Sequence, residues 1–339
     1  METYCSTFIT GFSSVIKDAL REKLKELDIS LVLDGLIVYQ TNYPIEKVKN
    51  LRFINNSYIL IKAFQKNNPD IKQLINKLSA CNELKDFLNK HEFPKKSTFR
   101  IIISRENQII SVDSQIIKPL ERTITRNSPL RSTRSDPGCE FWLLTHIEGF
   151  SFFGLRITPT VKKHLAKGQL RPEIAHILCL ISEPDENDIF LDPFCGSGAI
   201  PIERTYFPHK RILAGDIDPK YAKQLRQKIK KHAHKLTIGR WDALQLKTFK
   251  DKSVDKIVTD PPWGLYRAKN LNFNRFYNNM LNEFNRILKP NRGITVVLTA
   301  QKRVFKKCLD EHRNNLRLIE KYNTLVSGKK ACVYKLLKI

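Results

Sequence analysis

Ten residues constrain this chain more than any others: Leu191-Asp192-Pro193-Phe194-Cys195-Gly196-Ser197-Gly198-Ala199-Ile200 compress a strand end, a glycine-rich turn and a helix start into one unit. Gly196 and Gly198 let the main chain approach a ligand closely, and the N-terminus of the following helix presents unpaired N–H groups to an anionic group. A tight βα turn of any α/β fold reads the same way when taken alone. The run lacks the Lys-Ser/Thr end of a phosphate loop and the third spaced glycine of a dinucleotide fingerprint, which argues against a nucleoside triphosphate or a dinucleotide as its ligand.

The sequence around this turn has the matching rhythm. After Arg171 strands and helices alternate: helix Arg171–Ser182, strand Ile189–Asp192, helix Ala199–Thr205, strand Ile212–Asp216, helix Tyr221–His234. Strand Val254–Thr259, helix Phe273–Leu288, strand Ile294–Thr299, helix Val304–Arg313 and strand Val333–Leu337 complete the series. Such alternation implies βαβ units around a largely parallel sheet. Upstream the pattern is α+β: a first strand from Tyr4 to Ile9, a helix over Phe12–Leu27, a hairpin of Leu31–Leu33 and Leu36–Tyr39 across Asp34-Gly35, and strand Ser57–Phe64. A helix Ile71–Leu88, strand Thr98–Ser104, a strand or helix over Gln108–Leu120, and strands Glu140–Glu148 and Phe152–Ile157 follow, with an exposed loop expected between Ser128 and Gly138. Lys162, Lys163 and Lys167 then form a basic linker. At 339 residues the chain suits two or three domains, divided here as 1–65, 66–160 and 161–339.

Charge narrows the partners. The net charge is +25, of which +19 falls in residues 161–339 and +6 in residues 1–160, an excess suited to a polyanion or an anionic surface. No run approaches about 18 consecutive apolar residues, and the N-terminus is acidic and polar where a secretory signal is basic and then apolar, so the expectation is a cytoplasmic protein without a membrane segment. The seven cysteines are widely spaced without a CxxC or Cys/His ligand cluster, so neither a disulfide scaffold nor a metal site is expected.

Three further acidic positions follow the glycine turn at strand ends or loops. Asp216, in Gly215-Asp216-Ile217-Asp218-Pro219, stands where a doubly wound sheet accepts the two ribose hydroxyls of an adenosine-containing cofactor; Asp218 is either part of that contact or an N-cap for the helix opened by Pro219. Asp242, in Trp241-Asp242-Ala243, is either an acceptor for an adenine amine or a turn residue. Thr259-Asp260-Pro261-Pro262-Trp263-Gly264 carries the chemistry. The lone pair of an exocyclic amine on a nucleobase is delocalised into the ring. The Asp260 carboxylate and a rigid main-chain carbonyl, accepting the amine's two hydrogens, would localise that lone pair toward an incoming methyl group, while Trp263 would stack on the flipped base; the alternative is a proline-stiffened loop with Trp263 capping the core.

With these motifs in order, the chain resembles the THUMP-domain family of S-adenosylmethionine-dependent RNA methyltransferases, most clearly at Leu170-Arg171-Pro172-Glu173-Ile174-Ala175, at Asp192 through Gly198 with Glu203, at Asp216-Ile217-Asp218 and at Asp260 through Gly264. The resemblance implies an α/β fold: a Rossmann-like methyltransferase domain over 161–339, preceded by an α+β region with a ferredoxin-like part over 1–65 and a THUMP RNA-binding module over 66–160. It implies that Asp192, Cys195, Gly196 and Gly198 hold the methionine part of S-adenosyl-L-methionine, that Asp216 holds the ribose and Asp242 meets the adenine, and that Pro193, Ser197, Ile217 and Ala243 belong to the same cofactor site. Asp260, Pro261, Pro262 and Trp263 match the catalytic motif, with Asp260 also beside the cofactor and Trp263 standing where many relatives have Tyr or Phe. The implied substrate is tRNA, gripped at its acceptor end by the THUMP module, and the implied activity is a tRNA (guanine-N2)-methyltransferase acting near the acceptor stem, at guanosine 6. Guanosine 10 of tRNA, the N2 of a guanine in rRNA and the N6 of an adenine are alternatives, as is an RNA-binding protein without catalysis.

Arg122, Arg126, Arg131 and Arg134 fall in the matching RNA-binding region, where they either track phosphates or form a solvated face. Arg267 and Lys269, just after the catalytic turn, are placed to meet phosphates flanking a flipped base. The basic helix from Tyr221, with Lys223, Arg226, Lys228, Lys230 and Lys231, serves RNA or solubility. The His232/His234 pair lies in this lysine-rich stretch and reads as surface.

Overall fold

The structure, a computed structural model, describes residues 1–65, 70–93, 97–159, 169–229, 236–264 and 271–339. Contacts group the chain into two compact units, Met1–Phe8 with Leu20–Val161, and Ile9–Ala19 with Lys162–Ile339. None of its described helices is long and apolar enough to cross a membrane.

The first unit is built on one nine-stranded sheet. Its strands are β1 (Glu2–Thr7), β2 (Leu27–Leu33), β3 (Leu36–Thr41), β4 (Asn56–Phe64), β5 (Thr98–Arg105), β6 (Gln108–Ile109), β7 (Arg131–Ser132), β8 (Cys139–Thr145) and β9 (Ser151–Arg156). They run in the order β2-β3-β1-β4-β9-β8-β5-β6, with β7 paired to β5. Five helices are interleaved along this part of the chain: α1 (Ser13–Lys23), α2 (Ile45–Lys49), α3 (Ile71–Ala80), α4 (Asn82–Lys90) and α5 (Ser114–Arg126). Leu74 and Leu78 of α3, Leu84 and Leu88 of α4, and Leu120 and Ile124 of α5 form one core with Phe99, Ile101, Phe141 and Leu143 of the sheet. The single helix expected over Ile71–Leu88 is two helices, because Cys81 is extended (φ −75°, ψ 142°) between them. The stretch Gln108–Leu120 contains both candidate elements, a two-residue strand and then α5, whose start is fixed by Asp113 accepting from the Gln115 N–H at 2.9 Å. Within the loop expected between Ser128 and Gly138, Leu130 is buried and Arg131–Ser132 pairs in parallel with Thr98–Phe99.

The second unit is a seven-stranded sheet of β10 (Ile189–Asp192), β11 (Arg211–Asp216), β12 (Leu236–Arg240), β13 (Lys256–Thr259), β14 (Ile294–Thr299), β15 (Leu316–Val326) and β16 (Lys329–Lys338), in the order β12-β11-β10-β13-β14-β16-β15. Its helices are α6 (Pro172–Ile181), α7 (Ala199–Arg204), α8 (Pro219–Lys228), α9 (Phe273–Ile287) and α10 (Lys302–Glu311). The first five strands pair in parallel, and β16 enters antiparallel between β14 and β15. The chain builds outward from β10 to β11 and β12, then returns to the other side of β10 with β13, so the strand order reverses at β10/β13. A crevice for a ligand opens at the carboxyl ends of strands at such a reversal.

Burial on both faces explains the apolar strands: all six residues of β14 are buried. Phe276, Tyr277, Met280, Leu281, Phe284 and Ile287 form the buried stripe of α9, and Asn272 caps that helix through the Arg275 N–H at 3.1 Å. Arg204 of α7 is wholly buried, donates to Asp188 at 2.8 Å and lies 5.3 Å over the Phe190 ring, which ties α7 to β10 on either side of the glycine turn. Two strands were not expected. β12 follows a helix shorter than the expected Tyr221–His234; Lys230, Lys231, His232, His234 and Lys235 lie outside the described residues, as do Lys162, Lys163 and Lys167. β15 alternates weakly because it is an edge strand with Leu318, Ile319 and Leu325 exposed, and Ser327 and Gly328, both at positive φ, turn it into β16. Residues Ile9–Ala19 belong to this unit: the Thr324 hydroxyl donates to the Thr10 carbonyl at 2.8 Å, and a Cβ on Gly11 would lie 1.8 Å from the Asn323 carbonyl oxygen.

Candidate active site

Strand β10 ends at Asp192, and the chain turns so that the Cys195 N–H reaches the Gly215 carbonyl of β11 at 2.8 Å. The two glycines of the turn do different work. Gly196 (φ +47°) faces open space, with its nearest neighbour to an added Cβ at 4.0 Å, so it is the one that bares the main chain. Gly198 (φ +89°) is the N-cap of α7, and a Cβ there would sit 2.3 Å from the Leu225 side chain of α8. Gly196 is therefore the glycine that leaves room for a close approach, while Gly198 serves helix packing.

Asp216, at the end of β11, accepts from the Gly196 N–H and the Asp218 N–H, both at 3.0 Å, and thereby links the glycine turn to the second loop. Asp218 is the N-cap of α8, accepting from the Lys220 N–H at 3.0 Å with Pro219 next in line. Ile217 between them is 60% exposed, an apolar side chain left beside the crevice. Asp242 accepts from the Leu244 N–H at 2.9 Å in a local turn, and Ala243 is buried.

On the other side of β10, β13 ends at Thr259 and the chain enters Asp260-Pro261-Pro262-Trp263. The prolines fix φ and donate no hydrogen bond, so the turn is stiff. Asp260 Oδ1 accepts from the Trp263 indole N–H at 2.8 Å. The indole edge therefore meets the carboxylate, a contact that the expected stacking role had not included. Burial pushes the Asp260 carboxyl up to about 7 against that hydrogen bond. Asp192 is buried; its Oδ1 accepts from the Thr259 hydroxyl at 2.8 Å and the Phe194 N–H at 3.2 Å. Its Oδ2 is buried with no hydrogen-bond partner among the described residues. Burial first, and then the charges of Asp216 and Asp260, push Asp192 up to about 8.

Asp192, with an orphaned oxygen, thus feels the charges of Asp216 and Asp260 at the switch point and opens the bared glycine turn. A cationic, hydrogen-bond-donating ligand is what this set would take. S-adenosylmethionine fits on those grounds.

Four contributors to the site had no such role in the sequence reading, although Trp241 and Thr259 stand inside quoted motifs and Lys228 in the basic helix. The Trp241 indole lies against Gly215 and Gly239, cross-strand partners on β11 and β12, where a Cβ would come within 2.2 and 2.3 Å of the ring. Thr259 orients Asp192. Lys228, from the basic helix, donates to the Ser197 carbonyl at 2.9 Å, and Gln301 donates to the Trp263 carbonyl at 2.7 Å. Gly215 and Gly239 before Trp241 were a signal for the tryptophan's place; Gln301 had none in the sequence.

In the first unit Arg122 and Arg126, one turn apart on α5, line a cavity of about 380 Å³ with Lys118, Glu121, Thr125 and Ser132. Arg131 and Arg134 are exposed but do not line it. Arg267 and Lys269 lie outside the described residues.

Residues 159–331 match the family model UPF0020, described as RMKL-like, methyltransferase domain. The chain is 32% identical over 188 residues to the Mus musculus protein named tRNA (guanine(6)-N(2))-methyltransferase THUMP3, covering 51% of this chain and 37% of that one. It is 32% identical over 115 residues to a Methanothermococcus thermolithotrophicus protein named probable tRNA (guanine(10)-N2)-dimethyltransferase, covering 32% of this chain and 70% of that one. The chain therefore spans little more than a third of the length of the mouse relative. Its fold is that of TrmN from Thermus thermophilus, with a TM-score of 0.78 and 19% identity over 100% of both chains: a Rossmann-like methyltransferase fold with an N-terminal β-rich region of THUMP and ferredoxin-like type. Because the matched segment covers half of the chain and holds the glycine turn, the acidic strand ends and the Asp-Pro-Pro-Trp turn, this protein belongs to the UPF0020 family of RMKL-like methyltransferase domains.

Proposed function

We propose that this protein transfers a methyl group from S-adenosylmethionine to the exocyclic N2 of a guanosine in tRNA, at guanosine 6. The observation that carries the reading is Asp260: a carboxylate at the end of β13, stiffened by two prolines and held by the Trp263 indole, across the switch point from Asp192. The names of the relatives, guanine-N2 methyltransferases of tRNA, support the same atom and substrate.

When bound, S-adenosylmethionine supplies an electrophilic methyl group on a sulfonium. Gly196 and its neighbours Pro193, Cys195 and Ser197 would hold its methionine part, Asp216 with Ile217 its ribose, and Asp242 with Ala243 its adenine. Asp260 accepts one hydrogen of the guanine N2 amine and a main-chain carbonyl of the proline pair accepts the other, which turns the lone pair toward the methyl carbon. Trp263 supports the base with its ring while its N–H steadies Asp260. Once the amine is alkylated its acidified proton passes to Asp260, whose raised affinity for a proton suits it to that task. In this reading residues 1–65 are the ferredoxin-like part and 66–160 the THUMP module that binds the acceptor end of tRNA, with Arg122 and Arg126 on the cavity of α5.

Transfer of labelled methyl to tRNA transcripts tests the assignment. Replacing guanosine 6 by adenosine should abolish incorporation, and replacing guanosine 10 should leave it unchanged. The reverse pattern would move the site to guanosine 10, the position named for the archaeal relative.

A further inference from the structure

Gln301 stands at the carboxyl end of β14, at the N-cap of α10, where a short polar side chain ordinarily accepts from the first turn of the helix. Its side chain makes no capping bond. The amide reaches instead to the neighbouring strand's loop and donates to the Trp263 carbonyl at 2.7 Å. The backbone N–H of Gln301 is fixed in turn by the Thr299 hydroxyl at 3.0 Å, and that hydroxyl pairs with the Tyr277 hydroxyl at 2.8 Å. Thr299 and Tyr277 are wholly buried. At the other end the Trp263 indole donates to Asp260 Oδ1 at 2.8 Å. One chain of contacts therefore runs from the core of α9 and β14 through Gln301 and Trp263 to the carboxylate.

Each link restricts the next. The indole N–H sets the plane of the Asp260 carboxylate, and the indole is only as fixed as its own main chain. That main chain continues into Gly264 at φ +77°, a residue with wide conformational freedom. Among the described residues, the bond from Gln301 to the Trp263 carbonyl holds the turn at this end.

We propose, resting on the methyl-transfer reading above, that Gln301 is a positioning residue for the reaction: by holding the Trp263 carbonyl it sets the direction in which Asp260 presents its second oxygen to the target amine. Gln301 acts through Trp263.

The test compares Gln301→Ala and Gln301→Glu, the latter matching glutamine in shape but lacking the N–H that donates, with Gln301→Asn, which keeps the amide one methylene short. Each full-length variant carries 5-fluorotryptophan, and the Trp263 fluorine resonance is assigned with Trp263→Phe among the three tryptophans. Both Ala and Glu variants should lose kcat by about 10- to 100-fold, the scale of a small misplacement of a catalytic group, with KM for tRNA and cofactor affinity within about threefold. The Trp263 resonance should shift or broaden while those of Trp142 and Trp241 stay. Unchanged kcat together with an unchanged Trp263 resonance would overturn the proposal, as would all three variants failing to fold, which would make Gln301 a support of the fold. The fluorine signal does not depend on turnover, so failure of this inference is distinct from failure of the function: wild-type protein that labels no guanosine N2 contradicts the function alone.

Discussion

Asp260 and Asp192 are carboxylates of opposite duty at one sheet edge. Asp260 must be ionised to accept an amine hydrogen, and its carboxyl is pushed up to about 7. Transfer at saturating substrate should therefore fall as pH drops through about 7 and level off above it, and Asp260→Asn should remove that dependence; a rate profile from pH 5.5 to 9 measures both. Asp260→Ala should lower single-turnover transfer by about 100- to 1000-fold, the usual cost of losing one transition-state hydrogen-bond partner. Asp192 has its effect on stability. Its folded carboxyl, at about 8, holds a proton that the unfolded chain releases near its ordinary value of 3.8. The folded state therefore binds more protons between those values, and the stability this gives is complete below the lower value and lost as pH rises through the upper one. Asp192→Asn should raise the melting temperature at pH 8, leave it unchanged below pH 4, and weaken cofactor binding. Residues of this kind were legible where a motif flanked them, as the prolines flank Asp260. Gln301 was not, because its partner is 38 positions away and only the pairing of β13 with β14 brings them together.

Among the elements, the glycine turn and α9 show what periodicity and composition carry. Gly196 and Gly198 are alike in sequence, and only the structure separates them, because Leu225 on α8 fills the space beside one of them. Gly196→Ala should leave the melting temperature within a few degrees while weakening cofactor binding. Both variants take up a left-handed conformation costing about 1–2 kcal/mol, and Gly198→Ala adds the clash with Leu225 and so should lower the melting temperature further; scanning calorimetry and cofactor titration separate the two outcomes. The stripe on α9 was legible because its apolar residues recur at helical spacing, and Phe284→Ala at a wholly buried position should cost about 3–5 kcal/mol in denaturant unfolding. β15 escaped notice for the complementary reason: an edge strand buries too few side chains to impress a period on its sequence. Cys81 divides α3 from α4 through its backbone angles, and no glycine or proline marks that break.

At the scale of the whole molecule, the charge of +25 sets how the protein meets a polyanion. RNA binding should weaken steeply with salt, as counterion release requires. Reversing Arg122 and Arg126 to glutamate should reduce tRNA affinity while leaving cofactor affinity unchanged, which filter binding at two salt concentrations would show. The alternating half of the chain was legible in outline, since parallel strands buried on both faces have no other way to be written. The first unit was less so: its nine strands close one sheet from segments far apart in sequence, and the Ile9–Ala19 segment joins the second unit through Thr324 and Asn323, more than three hundred residues away. The central claim is the chemistry at Asp260. The most direct measurement is transfer of labelled methyl from S-adenosylmethionine to unmodified tRNA by wild-type and Asp260→Ala protein, with the product nucleoside identified by mass spectrometry. Labelled N2-methylguanosine from the wild type and about 100- to 1000-fold less from the variant is the expected result; label in N6-methyladenosine, or equal label from both proteins, would contradict the account.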